Sequence, residues 1–303
     1  MHSCFEDPAL FRSVLENLPI GIYVLDRERR VCFWNRGAEQ ITGYLAPEVI
    51  GQACRGPLQH CDRQGRVLCE DRCPVTATLH NGHPQQGYVF SLHKQGHRVG
   101  IQVRTLPLFD AEDFVAGVVV IFEEALSDCR PESMGRLMYG CLDPVTGIPS
   151  QRLARAVLAE SLAGLEQSYG GFGVLLVRVI GLDEFRSKHG PQSVIPFLHT
   201  AAQTLRHSLD PENFVGRWGE DEFLAVLQTA SPISVAVTAA KIWNLVSQSE
   251  VSWWGDRFLI DVEVAHTVAR PGDKVEALLR DLKPSQAAAA AGRSNSSSGP
   301  LRG

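Results

Sequence analysis

No apolar run in this sequence approaches the length of about 20 residues that a membrane-spanning helix needs. The strongest, Val118-Val119-Val120-Ile121-Phe122, is strand-sized and β-branched. There is no lysine or arginine run, and the formal charge of −5 offers no basic field to a nucleic-acid backbone. Neither a membrane nor a nucleic acid is therefore an expected partner. Residues Met1 to Asp7 lack the positive segment and apolar core of a secretory signal, so the expected location is cytoplasmic. In that reducing compartment the eight cysteines are expected as free thiols, metal ligands or redox sensors before structural disulfides.

What is present fits folded protein. Hydrophobic residues make up 44% and charged residues 21%, and 303 residues accommodate two domains. Strand signals are dense from Leu10 to Ala125, and helical and strand patterns alternate from Gly140 to Leu282. From Ser285 onward the chain is alanine, then serine, with little to bury, and a disordered tail is expected over 285–303. The expected division is 10–125, a connector at 126–142, and 143–284.

In the first region Gly21 to Asp26 reads as a strand whose hairpin partner is Arg30 to Asn35. Ala38, Ile41 and Tyr44 follow at helical spacing, Gly43 marks a helix end, and Pro47 to Gly51 gives a second short helix. Three strands come later: Gly87–His93, Arg98–Leu108 and Phe114–Phe122. The pattern predicts a five-stranded antiparallel sheet with helices on one face. Leu18-Pro19-Ile20-Gly21-Ile22, Val31-Cys32-Phe33-Trp34-Asn35, Ile41-Thr42-Gly43-Tyr44 and Gly117 to Glu123, in that order, resemble the PAS family. The resemblance implies a sensory or dimerising module. It also implies a connector, Asp128 to Tyr139, that pairs in a homodimer; a polar linker of no special role is the competing reading, since Pro131 shortens any helix there.

The second region predicts an α/β fold with a central sheet. Strands are expected at Gly173–Val179, Glu222–Leu227 and Phe258–Val268, and helices at Gln192–Leu209 and Val235–Val246. Asp143 to Arg152 and Arg217-Trp218-Gly219-Glu220-Asp221-Glu222-Phe223 resemble two ordered motifs of the GGDEF diguanylate cyclase family. Members join two GTP molecules, using divalent cations held by two carboxylates against the triphosphate. The resemblance matches one carboxylate to Asp221. An ungapped count places Arg178 at the other, with Ile180, Arg186, Ser187 and Ile195 at further acidic or guanine-binding positions. A rival register uses Gly181 and His189 instead.

In either register the first metal ligand and the guanine amide are missing. Glu220 replaces the second hairpin glycine, the upstream R-x-x-D inhibition motif is absent, and Pro284 interrupts the expected C-terminal helix. The expectation is a PAS sensor joined to a catalytically inactive GGDEF-type output domain, with Asp221 and Glu222 vestigial and Phe223 in the core. A protein or a nucleotide is its expected partner. The alternative is an active cyclase making cyclic di-GMP, and magnesium is expected only in that case.

Cys54, Cys61, Cys69 and Cys73 fall in one short stretch with His60 beside them. Thiols plus imidazole suit zinc, iron or an iron–sulfur centre, and Cys54, His60, Cys69 and Cys73 are the candidate metal or redox residues. Free thiols buried as small apolar groups are the competing reading. Cys32 is expected to face the core.

Overall fold

The computed structural model describes residues 8–69, 72–125, 141–165, 170–280 and 282–284. The chain divides into two units, Met1–Ala125 and Leu126–Gly303. The expected connector, Asp128 to Tyr139, and the tail 285–303 lie outside the described residues. No helix among the described residues is long and apolar enough to cross a membrane.

The first unit opens with helix α1 (Pro8–Asn17), then strands β1 (Gly21–Asp26) and β2 (Val31–Trp34). Short helices α2 (Arg36–Thr42), α3 (Ala46–Val49), α4 (Arg55–Leu58) and α5 (Pro74–Asn81) follow. Strands β3 (Gln85–Leu92), β4 (Arg98–Phe109) and β5 (Val115–Glu124) complete an antiparallel sheet of order β2-β1-β5-β4-β3. Alternation decides the burial of β5: Val118, Val120 and Phe122 point inward, while Val119 and Ile121 are half-buried. Phe122 packs edge-on against Tyr23, at 5.8 Å between ring centroids, and Tyr23 lies 5.3 Å from Trp34. These rings centre the core. Asn35 follows β2 and caps α2, accepting the Ala38 N–H at 2.8 Å, and the helix stops at Gly43 in the left-handed region.

The second unit runs α6 (Gln151–Leu165), β6 (Phe172–Val179), α7 (Leu182–His189), a 3-10 turn (Pro191–Val194) and α8 (Ile195–Ser208). It continues with β7 (Phe214–Arg217), β8 (Glu222–Leu227), α9 (Pro232–Ser247), β9 (Glu250–Trp253) and β10 (Asp256–Leu259). It closes with β11 (Val262–Ala269), α10 (Val275–Arg280) and β12 (Lys283–Pro284). The central sheet has the order β12-β11-β6-β8-β7, and β9–β10 form a separate hairpin. Gly173 on β6 is glycine for a packing reason. A Cβ there would stand 2.5 Å from Val235 Cγ2 of α9.

Three expectations change here. The strand expected at 258–268 is two strands. The chain turns at Ile260, which is buried, and Phe258 packs on Phe185 and Phe197 in the core. The helix expected from Gln192 begins at Ile195, behind the 3-10 turn that Pro191 opens. Pro284 interrupts no helix: α10 ends at Arg280, and Pro284 pairs with Ala265 on the sheet edge.

Candidate functional site

The family-like hairpin closes one end of the central sheet. β6 and β8 pair antiparallel with Arg178 opposite Glu222 and Val177 opposite Phe223. The Val179 N–H donates to the Asp221 carbonyl at 2.9 Å. On the other side of β6, Glu263 of β11 stands opposite Arg178. Arg178 thus has a carboxylate on each flanking strand. Its Nε and Nη2 donate to Glu222 Oε1 at 2.9 and 2.7 Å, and its Nη1 lies 3.9 Å from Glu263 Oε2. Donating to the Glu222 carboxylate makes Arg178 hold its proton more firmly than usual. Gly181, the rival position, lies beyond the strand at the start of α7 with φ of 79°. His189, its companion, ends α7 with its ring 4.5 Å from that of Phe185.

A second guanidinium arrives from α7. Arg186 Nη2 is 3.0 Å from Asp221 Oδ1 and 3.5 Å from Glu220 Oε1, and its Nη1 is 2.6 Å from Asp183 Oδ1. Burial nevertheless lifts the Asp221 carboxyl above the ordinary range, with Glu220 and Asp183 adding to the effect and Arg186 opposing it. Ile195 opens α8, and Ser187 Oγ bonds the Glu184 carbonyl at 2.9 Å.

The turn itself is braced from within. The N–H groups of Trp218 and Gly219 both donate to the Glu222 carbonyl, at 2.8 and 3.1 Å. Arg217 donates from Nε to the Gly219 carbonyl at 2.7 Å and from Nη2 to that of Glu220. Its guanidinium lies 5.2 Å from the ring centroid of Phe223, which is fully buried. Glu220 does not adopt a left-handed backbone, so replacing glycine there strains nothing. The opening motif meets this hairpin: the Arg217 N–H donates to the Pro149 carbonyl at 2.7 Å, and the Gln151 amide donates to that of Trp218. Asp143 serves a turn, accepting from the Thr146 N–H at 2.9 Å and its hydroxyl at 2.7 Å.

The divalent cations that the family resemblance implies do not fit this donor set. The strand position carries a guanidinium, and both inner hairpin carboxylates already bind one.

In the first unit the cysteine stretch wraps over the sheet. Cys54 precedes α4 and Cys73 precedes α5, and both pack on the core that contains Tyr23. Arg29 bonds the backbone of Cys54 and of Cys69: its carbonyl accepts the Cys54 N–H at 3.0 Å, and its Nη1 donates to Cys69 O and to Thr76 Oγ1 of α5, each at 3.2 Å. Burial pushes the Cys54 thiol up to about 12, with Cys73 and Cys69 adding and Arg29 opposing. Cys69 is raised by burial too, and Cys61, buried in a bridge to Phe90, goes to about 11. Burial, then the three thiols Cys54, Cys73 and Cys69, raise the Tyr23 hydroxyl, which has no hydrogen-bond partner. Burial pushes His60 down to about 4, helped by Arg98 rather than by any thiol, and its Nε2 is also unpartnered.

The structure therefore brings Cys54, Cys69 and Cys73 near Tyr23, while the Cys69 thiol also reaches the His60 carbonyl at 4.0 Å and the His60 ring faces the charge of Arg98. Among the described residues no three His, Cys, Asp or Glu groups stand together as ligands for one metal ion. Cys32 is exposed, not in the core, because Val31 and Trp34 are the residues of β2 that turn inward. Sequence reasoning missed Tyr23, Arg29 and Glu263. All three join their sites through strand pairing or packing, and none belongs to a motif.

A PAS-type unit followed by an α/β unit with this hairpin defines a sensor-and-output signalling protein. The chain belongs to the diguanylate cyclase GGDEF-domain family, whose profile matches residues 141–294, and the PAS fold matches residues 9–125. No curated protein matches. Similar solved structures include the Pseudomonas aeruginosa diguanylate cyclase SiaD in complex with its activator SiaC, at 20% identity and a TM-score of 0.47. That match covers 55% of this chain and 63% of SiaD. The DgcB GGDEF domain of Caulobacter crescentus, in complex with c-di-GMP, is 18% identical with a TM-score of 0.45, covering 50% of this chain and 88% of that one. A Colwellia psychrerythraea PAS domain is 23% identical with a TM-score of 0.33, covering 39% and 97%.

Proposed function

We propose that this chain is a PAS-regulated signalling protein whose GGDEF unit binds a partner or a nucleotide and does not make cyclic di-GMP. One observation carries the reading: a guanidinium, Arg178, occupies the strand position opposite Glu222 and is bonded to it through two nitrogens. Catalysis of the family type needs cations held by carboxylates against the triphosphate. Arg178 cannot ligate one, and its charge repels one. Arg186 and Ile195 stand where the family pairs with guanine. An aliphatic side chain there leaves the polar base edge without partners, which can discriminate by ~10⁴. Homodimerisation through the PAS unit and the connector belongs to the same reading.

Retention of Asp221 and Glu222 favours the second reading, an active cyclase. Purified full-length protein, incubated with GTP and magnesium or manganese beside an intact cyclase, is expected to yield no cyclic di-GMP by chromatography. Turnover that disappears in Glu222→Ala would establish the second reading instead. A single restoring change, Arg178→Asp, is expected to leave the protein inactive, because metal, base and hairpin positions act as a unit.

A further inference from the structure

We propose that the loop 141–150 is a strap that carries displacement from the leading end of the second unit to the hairpin turn 218–222, so that a pull on the chain ahead of Cys141 shifts the candidate site. The coupling rests on the reading of this unit as a regulated output. It adds the route by which regulation reaches Glu220, Asp221 and Glu222.

The described part of the second unit begins at Cys141, and from there the chain closes on itself. The Ser150 N–H donates to the Cys141 carbonyl at 2.6 Å, and Leu142 stands opposite Pro149 in an antiparallel bridge. The Asp143 N–H donates to the Ile148 carbonyl at 2.8 Å, and the Gly147 N–H to that of Asp143 at 2.9 Å. The Asp143 carboxylate braces the middle by accepting twice from Thr146. Ile148 is buried in the core, and Gln203 of α8 donates to the Thr146 carbonyl at 2.9 Å. A slack loop would absorb a displacement at one end. One that is cross-braced and packed passes it on.

The far end of the strap, with the first turn of α6, grips the hairpin through backbone, side chain and ring. The Pro149 carbonyl accepts the Arg217 N–H at 2.7 Å, and the Gln151 amide donates to the Trp218 carbonyl. The Arg155 guanidinium lies 4.8 Å from the centroid of the Trp218 ring, which is buried. Trp218 and Gly219 in turn donate to the Glu222 carbonyl, and the Val179 N–H of β6 to that of Asp221. A continuous chain of bonds thus runs from Cys141 to the residues that bear the retained carboxylates. Charge follows the same route: burial works against the Arg217 cation, and Asp143 of the strap leads the carboxylates that support it, ahead of Asp221 and Glu220.

Amide hydrogen exchange of the full chain, resolved residue by residue, tests the route. Asp143→Ala slackens the strap at its leading end and leaves the grip on Trp218 in place. It is expected to speed exchange of the Trp218, Gly219 and Val179 amides by about fivefold, although none of the three bonds to an atom of the strap. The amides of β11 are expected to keep their rates. In a Gln151→Ala/Arg155→Ala background the same Asp143→Ala change is expected to add less than about twofold at those three amides. If Asp143→Ala does not fold, Thr146→Val, which removes one hydroxyl donor from the loop, is expected to give a smaller rise at the same amides. Faster exchange confined to Arg217, whose amide bonds the strap directly, overturns the proposal. So does an equal rise throughout β11, or an undiminished effect in the Gln151→Ala/Arg155→Ala background. All of these outcomes are read without turnover: a chain that makes cyclic di-GMP sinks the functional reading, and hairpin amides that ignore the strap sink this proposal alone.

Discussion

Asn35 holds four segments of the PAS unit from one buried amide. Its Oδ1 accepts the N–H groups of Ile22 and Ala38 at 2.8 Å each, and its Nδ2 donates to the carbonyls of Leu15 and Ile20 at 2.9 Å each. α1, the segment leading into β1, β1 itself and α2 therefore meet at a single side chain. Asn35→Ala removes a helix cap and leaves buried backbone groups without partners. The expected cost is about 2–3 kcal/mol, above the range for a cap alone because buried backbone groups also lose their partner. Denaturant melts of full-length wild type and variant measure it, and a loss under about 0.5 kcal/mol would show that water replaces the amide. The helix-capping role is readable in the sequence, since Asn precedes a helical pattern. The reach back to Leu15 is not, because it depends on how α1 returns over the sheet.

Between elements, the β9–β10 hairpin shows where sequence patterns stop informing. Its two turn residues, Trp254 and Gly255, have φ of 52° and 92°, the left-handed pair that a two-residue hairpin favours. Asn-Gly would announce such a turn. Trp-Gly does not, and the apolar residues on both sides of Ile260 read as one long strand. Trp254 is 91% exposed, so no burial offsets its strained backbone. Trp254→Asn is expected to stabilise the second unit by about 1 kcal/mol, measured as a higher melting temperature; a decrease would mean that the indole makes a stabilising contact. The hairpin of the candidate site was more legible. Its motif residues are contiguous, but the pairing of Arg178 with Glu222 is made by two strands far apart in sequence and is not part of either motif. The salt bridge of Arg186 to Asp221 follows from the orientation of α7 and leaves no trace in the pattern. The grouping of Tyr23 with Cys54, Cys69 and Cys73 was hidden for a similar reason: β1 lies more than one element away from the cysteine stretch.

For the molecule as a whole, acid is expected to act unequally on the two units. His60 is held down to about 4 when folded and takes its proton near 6.5 when exposed to water. Between those values the unfolded chain binds more protons, so the stability contributed by neutral His60 is full above about 6.5 and is lost as pH falls towards 4. The shift corresponds to about 3 kcal/mol. His199 and His266 of the second unit are lowered in the same direction by burial, but both are more open to solvent, which weakens their effect. Asp221, raised, contributes with the opposite sign, losing stability as pH rises through its range. Calorimetry of the full chain from pH 7 to 4.5 should therefore show one transition falling faster than the other, and His60→Gln should remove most of that difference. Equal shifts in wild type and variant would place the proton uptake elsewhere.

The pairing of β1 with β5 also fixes how the PAS unit answers a mechanical load. Gly21, the first residue of β1, lies beside Phe122, near the end of β5, so the two strands present their outward-leading ends side by side. Tension applied between α1 and residue 125 would peel this pair apart one rung at a time instead of shearing all rungs together, and peeling yields at low force. The Asn35 amide sits at that same end, bonded to Leu15, Ile20 and Ile22, and acts as the buckle that must open before the first rung is loaded.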